Sequence, residues 1–185
     1  MNIIGVTNRK LCDDFYSRIE EISKSNLKYL ILREKDLEHK ELLIMAKKIK
    51  NILNNNGNIK LIINSDVEVA KEVNAFGIQL SFKDFSENKG KDFKGIKGVS
   101  IHSLSEALEA EKKGADYILY GHVFATECKK ELEPRGLEEL KEICNKAKIP
   151  VYAIGGINKE NYKSVLEIGA SGIAIMSSLM KKKLI

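Results

Sequence analysis

The chain has 185 residues and a formal net charge of +5, a length that suits one domain with a continuous core. No apolar run approaches the ~20 residues that a membrane helix needs, and the start does not resemble a secretion signal. Three cysteines, Cys12, Cys128 and Cys144, are too few and too scattered for a disulfide framework or a zinc site. We therefore expect a cytoplasmic protein with reduced thiols and no membrane partner.

Eight short apolar runs recur along the chain, and each is followed by a charged amphipathic stretch. They are often β-branched and bounded by Gly, Asn or Lys, which is typical of buried parallel strands. The runs are Ile3–Val6, Tyr29–Leu32, Leu61–Ile63, Gly77–Leu80, Gly98–Ile101, Tyr117–Tyr120, Val151–Ile154 and Gly172–Ile175.

Amphipathic segments between the runs predict helices, of which 37–53 and 104–113 are examples. The residues expected to share one face are Leu42, Leu43, Ala46 and Ile49 in the first and Leu104, Ala107, Leu108 and Glu111 in the second. Lysines and glutamates alternate through 40–50 and 139–148, as on solvated helix faces. We therefore expect no nucleic-acid partner, and only a mild attraction for anionic, phosphorylated ligands.

Eight strands with intervening helices predict an α/β protein of the closed (β/α)8 TIM-barrel class, a single domain over residues 1–185. An open doubly wound sheet needs fewer strands, and its first turn usually carries a glycine-rich fingerprint that 7–10 lacks. The chain is short for a barrel, and after the eighth run only Ser177–Ile185 remain. We expect a shortened C-terminal helix and thin cover between strands eight and one, which a homodimer contact would shield.

In such a barrel the active site lies where the strands end at their carboxyl side. This rule selects a set of polar and glycine residues: Arg33, Glu34, Lys35, Asn64, Ser65, Asp66, Gln79, Ser81, His102, Ser103, Gly121, His122, Gly155, Gly156, Ser177 and Ser178.

The loops after strands seven and eight are the recurrent phosphate position of these barrels. Gly155 and Gly156 would let the backbone approach an anion, and Met176–Ser177 begins a short helix. A simple tight turn is the alternative for the paired glycines. Arg33 and Lys35 could neutralise a substrate carboxylate or second phosphate, although a charged turn is the alternative here as well.

His122 ends strand six and precedes a long polar loop, a position that would place an imidazole in the barrel mouth. Histidine both accepts and returns protons near neutral pH. A hydrogen-bonded rim histidine is the alternative, and we favour that interpretation for His102 and His39. Cys128 is not favoured as a nucleophile, because the sequence fixes no base beside it.

Successive motifs cover nearly the whole chain in order and resemble those of the thiamine phosphate synthase and TenI family. They are 32–35 (LREK), 62–64 (IIN), 77–80 (GIQL), 98–103 (GVSIHS), 114–117 (GADY), 153–157 (AIGGI) and 169–172 (GASG). The resemblance implies a (β/α)8 barrel that binds a phosphorylated thiazole during thiamine synthesis.

The synthase branch joins a pyrimidine diphosphate to the thiazole phosphate, with Mg²⁺ held by two aspartates. Ser65 stands at one aspartate position, whereas Asp84 matches the other. Ile31 and His122 also depart from the glutamine and proline that synthases usually have. Losing a carboxylate weakens a site for Mg²⁺, so we expect no cofactor, and Mg²⁺ with Asp84 only under the synthase alternative.

The loop after strand six is instead similar to TenI, a thiazole tautomerase, in 121–124 (GHVF), 128–130 (CKK) and 133–136 (EPRG). There the strand-six histidine moves the proton that aromatises the thiazole. Gln79 fits TenI as well, while Lys35 stands where TenI has arginine. The resemblance implies His122 as catalytic residue and, as substrate-binding residues, Arg33, Lys35, Asn64, Gln79, Ser100, Thr126, Lys129, Gly155, Gly156, Met176 and Ser177.

The sequence thus favours a thiazole tautomerase that needs no metal. Two alternatives stay open: a thiamine phosphate synthase of unusual sequence, and a non-catalytic regulator that binds thiazole or thiamine phosphates.

Overall fold

A computed structural model describes residues 2–127 and 131–182 of the chain. Eight parallel strands form one closed barrel in sequence order, and β8 pairs with β1. The strands are Asn2–Val6, Tyr29–Leu32, Lys60–Asn64, Gly77–Ser81, Ile96–Ile101, Tyr117–Gly121, Val151–Ile154 and Gly172–Ile175 (β1–β8). The predicted (β/α)8 TIM barrel is confirmed.

Helices alternate with the strands. They are Phe15–Ser23, His39–Asn56, Val67–Glu72, Phe82–Ser86, Leu104–Lys112, Gly136–Lys146, Tyr162–Glu167 and Ser177–Met180 (α1–α8). Four of them have only four to six residues, which is how eight β/α units fit into so short a chain. Within the described ranges, no helix combines the length and the apolar character needed to cross a membrane.

The two helices predicted in detail are present as α2 and α5. Leu42, Ala46 and Ile49 of α2 are buried as predicted. The helical spacing predicted for 104–113 is confirmed by α5, on which Leu108 is 41% exposed. The buried positions of α5 are Ala107 and Ala110, because small side chains let this helix lie close to the barrel wall.

The strands bury side chains on both faces, which gives the molecule two apolar cores. The outer core lies between strands and helices, and a second cluster fills the barrel interior: Ile4, Val6, Ile31, Ile62, Tyr117, Leu119, Tyr152 and Ala174. Side chains alternate along a strand, so residues two positions beyond an interior residue also face inward. This alternation places Arg33, Asn64 and Met176 on the inner side of the barrel's carboxyl end.

The last helix, α8, closes the flank between β8 and β1. It has four residues, as short as predicted, and Leu179 and Met180 are buried. The buried Arg18 of α1 donates from Nε to the Leu179 carbonyl oxygen at 2.9 Å, and its Nη2 also donates to that oxygen. These bonds fasten α8 to α1. The homodimer stays a prediction.

Substituting Arg18 with methionine should therefore destabilise the protein. The change keeps an apolar stem but leaves a buried carbonyl oxygen without its donors, which costs about 2–3 kcal/mol. Urea unfolding would measure the difference. Lys182→Met is the matched control, because it breaks only the exposed 2.6 Å bond from Nζ to Glu21 and should cost less than about 1 kcal/mol. Equal stability of Arg18→Met and wild type would contradict the role given to this arginine.

His39, at the start of α2, makes a contact whose strength should depend on pH. Its Nδ1 lies 2.9 Å from Asp66 Oδ2, and Nε2 lies 3.7 Å from Glu72. The hydrogen bond and charge of Asp66 raise the pKa of His39 above its ordinary value of 6.5. The pair therefore stabilises the fold below the ordinary pKa, and that stabilisation is lost as pH rises through the raised pKa.

An NMR titration of His39 should show a midpoint above 6.5. Asp66→Asn, which retains an N-capping side chain for α3, should move the midpoint down. A His39→Gln variant should be less stable than wild type in mild acid and equal to it in alkaline buffer. A destabilisation that grows with pH would contradict the assignment.

Candidate active site

His122 directly follows β6 and is only 4% exposed. Its Nε2 lies 3.2 Å from the carbonyl oxygen of Leu132, in the loop that returns from the barrel mouth to α6. Its Nδ1 is buried and has no hydrogen-bond partner among residues 2–127 and 131–182. His122 therefore has one ring nitrogen bound to the protein and one buried ring nitrogen without a partner among these residues.

Gly155 and Gly156 are packed against the segment that carries this histidine. Both have a positive φ, 101° and 67°. A Cβ on Gly155 would lie 2.2 Å from the Cβ of His122, and one on Gly156 would lie 2.4 Å from the Ala125 carbonyl oxygen. Glycine is therefore required at both positions because residues 122–125 lie so close to the end of β7. This is a structural explanation of the pair, in line with the tight-turn alternative to a phosphate loop.

Backbone hydrogen bonds hold the two segments together. The amide of Val123 donates to the Ile154 oxygen at 3.0 Å, and that of Phe124 donates to the Gly155 oxygen at 3.0 Å. Asn161 Nδ2 donates to the Gly156 oxygen at 2.9 Å. The carbonyl oxygens of the glycine pair therefore accept hydrogen bonds within the protein. A phosphate would be bound by the N–H groups of the pair, because phosphate oxygens are acceptors.

Arg33 and Lys35 lie in the loop after β2, with Arg33 half-buried and Lys35 exposed. Neither side chain makes an ion pair or hydrogen bond with another residue of the described ranges. The intervening Glu34 is buried, and its carboxylate accepts hydrogen bonds from Thr7 Oγ1 at 2.8 Å and from the Arg9 amide at 3.0 Å. Glu34 thus fixes the loop in place. Arg33 and Lys35, one on each side of it, are the cations that an anionic ligand could contact.

A cleft of about 780 Å³ opens beside this rim, next to the ends of β2 and β3. Lys35, Asn64 and Ser65 line it, together with Lys71 and Lys89 from the helical layer. Asn64 donates from Nδ2 to Ser65 Oγ at 2.8 Å. The cleft has the size of a small-molecule site, but Arg33, His122 and the glycine pair are not among its lining residues.

The residues present do not form a convincing Mg²⁺ site. Ser65 offers a hydroxyl where a carboxylate would be needed, and the Asp84 carboxylate accepts from Ser81 Oγ at 2.8 Å and lies 3.4 Å from Lys89 Nζ. Asp66 caps α3 and contacts His39. In the described part of the chain, no three His, Cys, Asp or Glu side chains cluster as metal ligands.

Gln79 and Ser100, both predicted to contact substrate, contact each other. Gln79 Nε2 donates to Ser100 Oγ at 2.9 Å, and Gln79 Oε1 accepts from the Tyr117 hydroxyl at 2.6 Å. Gln79 is only 2% exposed, whereas Ser100 is half-buried. Ser100 is thus the member of this group nearer to the open part of the barrel.

The other predicted residues are placed as follows. Thr126 is half-buried in the loop after β6, and Met176 and Ser177 are half-buried at the start of α8. Lys129 lies outside the described residues. The interpretation of His102 as a rim histidine fits its place after β5, where Nδ1 lies 3.7 Å from Glu106.

Sequence reasoning missed two parts of this site. Tyr117 belongs to an apolar run and has interior parity, so the alternation rule could have found it. The carbonyl of Leu132 contacts His122 across ten residues of irregular loop, and no sequence signal marks such a contact.

Comparison with known proteins identifies the family. A family model described as thiamine monophosphate synthase matches residues 3–179. A thiamine-phosphate synthase of Clostridium acetobutylicum is 40% identical and aligns with 95% of this chain and 85% of that protein. A putative thiamine-phosphate synthase 2 of Aquifex aeolicus is 37% identical, with 97% of each chain aligned.

A solved structure agrees with these relatives. Thiamine phosphate pyrophosphorylase from Pyrococcus furiosus superposes with a TM-score of 0.87 at 35% identity, covering 97% of this chain and 87% of that one. The names of these relatives support the synthase alternative better than the tautomerase interpretation. The match over nearly the whole length shows that the chain belongs to the thiamine monophosphate synthase family.

Proposed function

We propose that this chain is a thiazole tautomerase, an isomerase that aromatises a 2-carboxythiazole phosphate tautomer with His122 as its acid–base residue. Family membership supports a thiazole phosphate as the substrate class. The single observation that carries the choice of reaction is the buried Nδ1 of His122 after β6, which has no hydrogen-bond partner in the described part of the chain.

The surroundings of His122 select one tautomer of its ring. A carbonyl oxygen only accepts hydrogen bonds, so the Nε2 facing Leu132 carries the hydrogen. In the neutral imidazole the lone pair then lies on Nδ1, which is the basic atom. A buried polar atom without a partner is uncommon in folded proteins and often marks a function. Burial also keeps bulk water away from this nitrogen.

The reaction needs one base that takes and returns a proton. Nδ1 removes the C2 proton, and the released electron pair forms the C2–N3 double bond. The N3–C4 double bond shifts to C4–C5, and the pair of the exocyclic double bond takes the proton back from Nδ1 at the exocyclic carbon. The proton count is unchanged, so no oxidant, reductant or metal enters the balance.

The roles of the other residues follow from the two anionic groups of the substrate, its carboxylate and its phosphate. Arg33 and Lys35, whose charges are not paired within the described ranges, would hold the carboxylate. The backbone N–H groups of Gly155, Gly156, Met176 and Ser177 would hold the phosphate, because the ends of strands seven and eight are where such barrels bind phosphate. Asn64 and Thr126 complete the proposed set, and Lys129 would assist from outside the described residues.

Replacing His122 with asparagine tests the proposal. The change keeps a polar side chain but removes the base, so kcat for aromatisation should fall by about 100-fold or more. Ultraviolet absorbance follows the aromatic product directly. His102→Asn is the matched control on the neighbouring strand end and should retain wild-type kcat. Full activity in His122→Asn would overturn the assignment.

A thiamine phosphate synthase is the second candidate, and the names of the relatives at 37–40% identity favour it. Under this function the chain would join a pyrimidine diphosphate to a thiazole phosphate. Mg²⁺ would neutralise the diphosphate charge, and of the two expected carboxylates only Asp84 is present to hold it.

Incubating the purified chain with both precursors, with and without Mg²⁺, separates the two candidates. The tautomerase proposal expects no thiamine phosphate in either mixture, and aromatisation of the thiazole tautomer that does not depend on Mg²⁺. Mg²⁺-dependent thiamine phosphate that disappears in Asp84→Asn, together with no aromatisation, would establish the synthase and overturn the first proposal.

A further inference from the structure

Two linked hydrogen bonds, the first buried and the second part-buried, cross the barrel interior from β6 through β4 to β5. It runs from the Tyr117 hydroxyl to Gln79 Oε1 at 2.6 Å, and from Gln79 Nε2 to Ser100 Oγ at 2.9 Å. A Cβ on Gly98 would lie 2.1 Å from Tyr117 Cζ and 2.3 Å from Gln79 Oε1. The hydrogen bond between Tyr117 and Gln79 therefore occupies space that only a glycine at position 98 leaves open.

The surroundings of Tyr117 fix the direction of the first bond. Its ring stacks on that of Tyr29, with 6.5 Å between the ring centroids, and packs edge-on against that of Tyr152, with 5.7 Å between the centroids. Burial raises the pKa of Tyr117 far above its ordinary value of 10.0, so the hydroxyl keeps its hydrogen. Gln79 Oε1 is the one acceptor found for that hydrogen among residues 2–127 and 131–182. A buried O–H without an acceptor is costly, so the phenol must donate to Gln79.

This first bond determines the orientation of the Gln79 amide and, through it, the hydrogen-bonding role of the Ser100 hydroxyl. With Oε1 facing Tyr117, the Gln79 amide nitrogen faces Ser100 and donates to it. The Ser100 oxygen therefore acts as an acceptor, and its own hydrogen remains for a different acceptor. No other hydrogen bond of the Ser100 hydroxyl occurs within the described residues. Ser100 is half-buried and lies beside Ser81, the last residue of β4.

We propose that Tyr117 is a positioning residue that, through Gln79, makes the Ser100 hydroxyl a hydrogen-bond donor toward the ligand in the barrel mouth. The inference rests on the proposed function, because it takes the ligand to be a carboxythiazole phosphate. A fixed donor favours a ligand atom that only accepts, and it disfavours a ligand that presents an N–H or O–H at the same point. We assign the ligand's carboxylate, which Arg33 and Lys35 would also contact, as that acceptor, because a carboxylate only accepts hydrogen bonds.

The test measures how much Ser100→Ala weakens binding in four backgrounds: wild type, Tyr152→Phe, Tyr117→Phe and Gln79→Glu. Isothermal titration with the aromatic carboxythiazole phosphate gives each Kd, and the thiazole phosphate without the carboxylate is the second probe. Thermal unfolding confirms that each variant is folded. Tyr152→Phe is the matched control, because it removes a neighbouring phenol that is outside the chain of hydrogen bonds.

In wild type and in Tyr152→Phe, Ser100→Ala should weaken binding about tenfold, as expected for a hydrogen bond to a charged group. In Tyr117→Phe the Gln79 amide is free to invert, so the effect of Ser100→Ala should fall to half or less. In Gln79→Glu the carboxylate accepts from both neighbours, Ser100 donates to it, and the effect should disappear. These differences measure coupling, which a merely structural role of Tyr117 would not produce.

The two probes locate the acceptor. An effect of Ser100→Ala on the carboxylated ligand alone supports the carboxylate, whereas an equal effect on both ligands overturns that assignment. An equal effect of Ser100→Ala in all four backgrounds overturns the role of Tyr117 and leaves the proposed function standing. If Tyr117→Phe does not fold, Gln79→Glu tests the link from Gln79 to Ser100 on which the role of Tyr117 depends, and an undiminished effect of Ser100→Ala in that background overturns the inference. Wild-type protein that binds neither ligand overturns both the inference and the proposed function.

Discussion

Pairing of β8 with β1 closes the sheet, and this closure determines where every other group of the site lies. The register aligns Asn2 with Gly172 and Gly5 with Ile175, so the first and last units of a short chain meet without a free edge. A closed parallel barrel has all its strands ending on one side. The loops that carry Arg33, Asn64, His122 and Gly155 therefore converge on one rim, although 122 residues separate the first from the last.

The rim is held together by contacts between neighbouring loops. Glu34 binds the loop after β1, and Arg9 extends this link by a bidentate pair with Asp36 at 2.7 and 2.9 Å. Gly155 packs on His122, and the Arg135 amide donates to the His122 oxygen at 3.0 Å. A histidine held from β7 on one side and from residues 132–135 on the other has little freedom to change its orientation, which is what proton transfer at fixed positions requires.

The sequence predicts the barrel well because buried parallel strands leave short apolar runs, and three of the eight predicted runs coincide with strands Tyr29–Leu32, Val151–Ile154 and Gly172–Ile175. Helical spacing alone does not tell that Ala107 and Ala110, rather than Leu108, face the barrel wall. The sequence also could not show that Gln79 and Ser100 bind each other. Alternation predicts that a side chain faces inward, but the partner depends on the register between strands and on the space at Gly98.

Family membership and site chemistry answer different questions about this chain. Identities near 40% over nearly the whole length establish the family and its barrel, and with them a phosphorylated small molecule as the class of ligand. They do not fix the reaction, because the difference between the two candidates depends on very few atoms. A serine hydroxyl at position 65 cannot replace a carboxylate that shares the charge of Mg²⁺. At position 122 an imidazole has one nitrogen bonded to Leu132 and one without a partner among the described residues, and we propose it as the base. Ser65 and His122 are therefore the two positions on which the proposed choice of proton transfer over metal-dependent condensation depends.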